Sequence, residues 1–155
     1  METTLVLVKP DGVQRRLVGR ILARFEEKGL QIAGLRFTRL EPSLLERHYG
    51  AHKGKPFYEG LVSYMASSPV VVLALRGKNA VAVVRKMMGA TFGSKAEPGT
   101  IRGDFAISDG FNLVHGSDSA EAAAREIGIF FGAEGIVEWA PGDAPWVYDV
   151  SDGAR

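Results

Sequence analysis

The stretch Asn112-Leu113-Val114-His115-Gly116-Ser117-Asp118-Ser119 sets a histidine at the end of a short apolar run, with a glycine next and a helix start behind it. A side chain at a strand-to-helix turn is held by the backbone yet stays open to a ligand. Histidine is the side chain best suited to nucleophilic or proton-transfer work near neutral pH. Taken alone, His115 reads as a hydrogen-bonded turn histidine. The cations elsewhere in the chain change that reading. Lys9 ends an apolar β-branched run, Arg85 lies just off the apolar face of a helix, and Arg102 sits in a long polar connection. Each of them alone reads as a solvated surface charge. Converging on one histidine they would make a phosphate site, since their charge offsets phosphate oxygens and favours the charge that develops during transfer.

What is missing narrows the chemistry. No G-x-x-x-x-G-K-[ST] string occurs, so a P-loop is excluded. The protein-kinase set is absent too, and Asp109-Gly110-Phe111 is not part of it. No His/Asp/Glu group has metal-ligand spacing in the sequence. Arg102-Gly103-Asp104 matches a cell-adhesion tripeptide, which we discount because nothing marks the chain as secreted. The 155 residues contain no cysteine, which rules out disulfides, thiolate metal sites and thiol nucleophiles. The formal charge of +1 gives no support to a bulk nucleic-acid or membrane-surface binder. The N-terminus lacks a basic region followed by a long apolar one, and no apolar run approaches bilayer length. The expectation is a single domain over residues 1–155, cytoplasmic, with residues 138–155 as an extended C-terminal tail.

The elements that must position these residues follow from periodicity. Residues 3–9 read as a first strand, ended by a turn at Pro10-Asp11-Gly12. Val18, Ile21, Leu22 and Phe25 lie on one face of a helix that Lys28-Gly29 closes. Residues 31–40 alternate like a half-buried strand. A helix runs from Pro42-Ser43 to about Tyr49, with Ser43 as its N-cap, and another lies within 57–65. Residues 70–75 form a continuous apolar run, a buried strand. Residues 80–88 are helical with Val81, Val84 and Met88 on one face. Residues 89–111 read as one long functional loop. A short strand at 113–115 precedes a helix capped by Asp118 with Glu121, whose apolar face holds Ala123, Ile127, Phe130 and Phe131. The tail has too much Pro and Gly for regular structure, and its Trp139, Trp146 and Tyr148 must cover something. The order predicts an α+β protein, a ferredoxin-like βαββαβ sandwich. Its four-stranded antiparallel sheet carries helices on one face, with additional short helices.

Six stretches in order carry a close resemblance to the nucleoside diphosphate kinase family: TTLVLVKPDGVQR at 3–15, KPFYEGLV at 55–62, VRKMMGAT at 84–91, PGTIRGDF at 98–105, NLVHGSDS at 112–119 and EIGIFF at 126–131. The resemblance spans nearly the whole chain except its last few residues. It implies transfer of the γ-phosphate of a nucleoside triphosphate, typically ATP, to a nucleoside diphosphate. Transfer would run in two halves through a phosphohistidine at His115. It also implies that Glu126 holds the other ring nitrogen, that Ser117 hydrogen-bonds near that pair, and that Lys9 contacts the transferred phosphate and the ribose. By the same resemblance Tyr49 lies beside the γ-phosphate, Arg85, Thr91 and Arg102 contact the phosphates, and Asn112 contacts the ribose. Phe57 would stack the base, with Leu61 beside it. Stacking suits broad base tolerance, because every base has a π-face. Mg²⁺ would arrive on the nucleotide phosphates, with no direct protein ligand and with Asp118 reaching it through water.

The resemblance further implies a homo-oligomer, a hexamer before a tetramer, and neither a membrane nor a nucleic acid as main partner. Phe92-Gly93 departs from the family pattern, which often has Asn or Asp and then Pro after the threonine. That departure bears on assembly more than on chemistry. Gly128 replaces a better helix former, at up to roughly 1 kcal/mol. Two other readings compete. A nucleic-acid module on the same sandwich lacks an aromatic-rich RNP1-type string. An inactive scaffold would have no need to keep Lys9, Arg85, Arg102, Asn112 and His115 together.

Overall fold

The computed structural model describes residues 1–152. Their centre is a pair of strands, β1 (Glu2–Val8) and β3 (Val70–Gly77), that run antiparallel from Glu2 opposite Gly77 to Val8 opposite Val71. Both are buried on both faces, which is why neither shows the polar-apolar alternation of a half-exposed strand. β2 (Gln31–Thr38) pairs with β3 at one edge and β4 (Val114–Gly116) with β1 at the other, all antiparallel, giving the order β2-β3-β1-β4.

Eight α-helices accompany the sheet among the described residues: α1 (Pro10–Gln14), α2 (Val18–Glu27), α3 (Pro42–Tyr49), α4 (Tyr58–Ala66), α5 (Ala80–Met88), α6 (Ile101–Phe105), α7 (Ala120–Phe131) and α8 (Ala144–Val147). The two helices of the βαββαβ order share one face, as expected. Ile21 and Phe25 of α2 and Ala80, Val84 and Met88 of α5 pack on Val6, Val8, Leu73 and Leu75. The additional helices close the other face. Leu45 and Tyr49 of α3, Met65 of α4 and Phe130 and Phe131 of α7 pack on Leu5, Leu7, Val72 and Ala74. Successive residues of β1 thus feed two cores, the period-2 geometry of a strand. No helix of the described residues is long and apolar enough to cross a membrane.

Several local expectations are corrected. Pro10-Asp11-Gly12 is the first turn of α1, not a reverse turn. Proline suits the first helical position because its missing N–H has no intrahelical partner there, and Lys9 becomes the N-cap. Glu41, not Ser43, precedes α3, again with proline at the start. Ser119, not Asp118, caps α7; its Oγ accepts from Ala122 N at 3.0 Å. The alternation of β2 fails at an irregularity between Ile32 and Gly34, after which Leu35 and Phe37 stand exposed on this edge strand. Residues 89–111 are not structureless. They hold a 3₁₀ turn (Gly93–Lys95) and α6, capped by Thr100 Oγ1 accepting from Gly103 N at 3.0 Å. The last strand starts one residue late because Leu113 sits at φ +71°. The tail contains the one-turn α8. Trp139 Nε1 donates to Ile32 O at 2.9 Å and so covers the start of β2, while Trp146 lies almost fully exposed.

Candidate active site

The register of β4 against β1 places the histidine. His115 faces Leu7 and Val114 faces Val8, so His115 projects toward the α3 and α7 side while Val114 enters the core under α5. Gly116 lets α5 approach. A Cβ there would lie 2.6 Å from Met88 Sδ and 3.3 Å from Val84 Cγ1, so a larger residue forces the side chains of α5 to shift.

Behind the imidazole is a buried acid. Nε2 of His115 lies 3.3 and 3.2 Å from the two oxygens of Glu126, and Ser117 Oγ donates to Glu126 Oε2 at 2.5 Å. A carboxylate only accepts, so Nε2 carries the proton and the lone pair resides on Nδ1. Nδ1 has no hydrogen-bond partner among the described residues. Burial alone would raise the Glu126 pKa. The hydrogen bond and charge of His115, with the bond from Ser117, outweigh it and hold the carboxyl below the ordinary 4.5.

The histidine opens on a cleft of about 550 Å³. Lys9, Arg85, Arg102 and Arg125 line it against only two carboxylates, Asp118 and Glu126, and Glu126 is already bonded. Tyr49, Thr91, Asn112, His48 and His52 complete the wall. Four cations around one histidine whose Nδ1 lone pair is free form an anion site with the charge that phosphate demands. A second cavity, of about 500 Å³, lies between Gly29–Ile32 and the tail, but no histidine lines it, and its Arg76 is paired with Glu138.

Two of the cations, Lys9 and Arg102, are held in place. Lys9 Nζ donates to Asn112 Oδ1 at 2.7 Å, and Asn112 Nδ2 donates to Thr91 O at 2.7 Å, so three expected substrate contacts form one chain of bonds. Burial, then the charge of Arg102, lowers the Lys9 pKa to about 8, with Asp11 opposing. Arg102 is itself buried. Its guanidinium donates to the carbonyls of Asn112, Gly89 and Val114 at 3.2, 3.1 and 2.7 Å, which ties α6 to both ends of the cleft and leaves two N–H groups for a ligand. Burial, then Arg85, lowers its pKa to about 10. Burial and then Glu126 raise the Tyr49 hydroxyl above its usual range, so it stays a donor.

The structure brings Lys9, Tyr49, Arg85, Thr91, Arg102, Asn112, His115, Asp118 and Glu126 to this cleft, with Ser117 directly behind it. Phe57 and Leu61 do not line it. Phe57 precedes α4, half exposed beside the His52 ring at 5.4 Å, and Leu61 follows on α4. Three groups escaped the sequence reading. Asp11 accepts from Tyr64 Oη at 2.5 Å and from Leu113 N at 3.0 Å, which holds the left-handed residue before β4. Its only signal was a Pro-Asp-Gly string read as a turn. Arg125 had no signal beyond its place beside Glu126. His48 did have one, because Leu45, His48 and Tyr49 share the buried face of α3. Sequence spacing showed no metal-ligand group, and one is assembled only by the fold. The fold brings ligating atoms of His48, His115 and Glu126 within 4.8 Å of one another.

Comparison with known proteins gives a consistent result. The family model described as nucleoside diphosphate kinase matches residues 2–136. A nucleoside diphosphate kinase of Pelotomaculum thermopropionicum is 54% identical over 149 residues, covering 96% of this chain and 100% of that one. One from Archaeoglobus fulgidus is 49% identical, covering 96% and 99%. Among solved structures, a halophilic nucleoside diphosphate kinase from Halobacterium salinarum in complex with CDP superposes with a TM-score of 0.92 at 47% identity, over 96% of this chain and 99% of that one. A nucleoside diphosphate kinase family protein from Babesia bovis gives 0.93 at 42% identity, over 96% and 100%.

Proposed function

The chain belongs to the nucleoside diphosphate kinase family, and we propose that it works by carrying a phosphoryl group on His115 Nδ1. Its reaction is transfer of the γ-phosphate of a nucleoside triphosphate to a nucleoside diphosphate. The observation that carries the proposed route is the clamp of His115 Nε2 against the buried Glu126–Ser117 pair, because it fixes the tautomer with its lone pair on Nδ1.

In the first half, Nδ1 attacks the γ-phosphorus in line and the bond to the bridging oxygen breaks. The diphosphate leaves with that electron pair. Phosphorylation at Nδ1 makes the ring cationic while Nε2 keeps its proton, and the Glu126 carboxylate stabilises that charge. Lys9, Arg85 and the two free N–H groups of Arg102 stabilise the oxygens of the transferring group, and the Tyr49 hydroxyl donates to it. In the second half a new diphosphate attacks the phosphohistidine by the same path reversed, so one site serves donor and acceptor in turn. Asn112 and Lys9 bind the ribose, and Phe57 with Leu61 holds the base at the mouth.

The nucleotide enters as its Mg²⁺ complex. Among the described residues Asp118 is the one lining carboxylate without a protein partner, which suits an ion that keeps its waters and rides on phosphate oxygens. We also read the whole chain, residues 1–155, as a single catalytic domain of a cytoplasmic homo-oligomer, a hexamer before a tetramer. The exposed Leu35 and Phe37 of the β2 edge and the exposed Phe92, Ile107 and Phe111 support association. The test of the catalytic reading is labelling with γ-labelled ATP and no acceptor, followed by removal of nucleotide and addition of dTDP. Acid-labile label on wild type but not on His115→Ala, released as dTTP, is the expected result. A folded wild type that takes no label refutes it.

A further inference from the structure

His48 has no assigned work in phosphotransfer, yet it occupies a singular position. It is buried on α3, edge-on to His115 with ring centroids 5.1 Å apart at 88°, and in contact with Tyr49 and Phe130. Neither ring nitrogen has a hydrogen-bond partner among the described residues. A buried imidazole normally satisfies at least one nitrogen, so two unpartnered ones on a residue that lines the cleft point to a missing ligand.

We propose that His48, His115 and Glu126 form an inhibitory binding site for Zn²⁺. Two imidazole nitrogens and a carboxylate oxygen are the donor set of an open three-ligand zinc site, whose fourth position stays free for water or a phosphate oxygen. Around a tetrahedral ion with bonds of about 2.0–2.1 Å, ligand atoms lie roughly 3.4 Å apart. The present spacing of up to 4.8 Å closes to that with shifts of roughly 0.7 Å per atom. The same set discriminates against Mg²⁺, which prefers oxygen ligands in octahedral array and parts with its waters reluctantly. The ion the substrate carries and the ion this site takes are therefore different.

The consequence follows from the tautomer. His115 Nε2 now carries the proton that bonds to Glu126. For Zn²⁺ to bind Nε2, that proton moves to Nδ1, which frees the in-plane lone pair of Nε2 for the metal and uses the one on Nδ1. Nothing is oxidised and no proton is lost from the ring, but Nδ1 no longer has a lone pair with which to attack phosphorus. The coordination stands on the geometry alone. The loss of phosphotransfer rests on the reading of His115 as phosphoryl carrier.

The experiment separates the two. Zn²⁺ binding is measured by calorimetry and Co²⁺ binding by visible ligand-field absorption, both without nucleotide, on wild type, His48→Phe and Glu126→Gln. His48→Phe keeps a ring in the packed position and removes both ligating nitrogens, and circular dichroism verifies that each variant is folded. The expected result is one ion per wild-type chain, tetrahedral-type cobalt bands, and affinity at least about tenfold lower in both variants, since even outer-shell partners of a metal carry that much. No binding by wild type, or His48→Phe binding as tightly as wild type, overturns the site. In a second arm, phosphoenzyme formation from Mg²⁺-ATP is followed at free Zn²⁺ fixed by a metal buffer, each variant compared with its own zinc-free rate. Half-inhibition of wild type at the calorimetric Kd, shifted upward by tenfold or more in His48→Phe, is expected. Full phosphorylation of the zinc-loaded wild type refutes the inhibition while leaving the coordination intact.

Discussion

Ser117→Ala removes one oxygen atom, and the structure gives it two jobs. Ser117 Oγ accepts from Leu5 N at 3.3 Å, just past the end of β4 where Ser117 N still donates to Leu5 O at 3.1 Å, and it donates to Glu126 Oε2 at 2.5 Å. Both groups are buried, Ser117 completely and Glu126 at 4% exposure, so water cannot replace the hydroxyl. A hydrogen bond to a charged group contributes about 1.5–3 kcal/mol, and an orphaned buried N–H costs about 1–3 kcal/mol. The two losses share one atom and are not additive, and the deleted hydroxyl no longer needs desolvation. The expected destabilisation is therefore roughly 2–4 kcal/mol, or a fall in Tm of roughly 5–12 °C for a chain of this length.

The deficit also has a predictable pH dependence. The folded Glu126 pKa lies below 4.5, so the unfolded chain binds more protons in the window beneath 4.5, and the group adds stability that is fully present above that value. That stability is lost as pH falls through the folded pKa. Ser117→Ala weakens the depression, so the gap between variant and wild type is widest at neutral pH and narrows below about pH 4.5 as the carboxylate protonates in both proteins. Urea denaturation followed by circular dichroism, near neutral pH and again near pH 4 at fixed protein concentration, reads this directly. A neutral-pH difference under about 0.5 kcal/mol, or a gap that widens on acidification, refutes the assignment of the hydroxyl to Glu126.

Other outcomes follow from the same geometry. Lys9 titrates at about 8, so the second-order rate constant for nucleotide falls as pH rises through that value, and Lys9→Arg loses this alkaline limb. Its folded pKa is below the ordinary 10.5, so its contribution to stability rises with pH between those two values, the opposite direction from activity. Asp11→Asn turns one of two acceptors into a donor facing either Tyr64 Oη or Leu113 N, and destabilises by roughly 1–3 kcal/mol. Burial and the Asp11 bond both raise the Tyr64 pKa, so ultraviolet titration of that variant finds the phenol moved back toward its usual range. Phe57→Ala removes the half-exposed ring beside His52 and raises KM roughly 5- to 100-fold for every base, with little change in kcat. An effect on kcat alone contradicts stacking.

The long elements were legible because their apolar spacing survives folding. The face Val18, Ile21, Leu22 and Phe25 of α2 and the run 70–75 of β3 need no distant partner to be recognised. The misread positions are those where a neighbour far along the chain decides. Leu113 adopts φ +71° because Asp11, about a hundred residues earlier, accepts its N–H, and that bond shifts the start of β4. Residues 89–111 read as a loop because α6 is only five residues long. It is held by Thr100 and by a guanidinium bonded to three carbonyls, not by an apolar stripe. The candidate site divides the same way. Spacing nominated His115 and the three cations, and the family resemblance named their partners. Neither could show that Lys9, Asn112 and Thr91 are linked in one chain of bonds. Nor could they show that Arg102 spends most of its donors on the backbone before any ligand arrives. His48 is the sharpest case. Its place on the buried face of α3 was readable, but its chemistry depends on an α3 residue meeting β4 and α7 across the sheet face. A motif reports which groups a reaction needs; only the packing reports which further groups stand close enough to interfere with it.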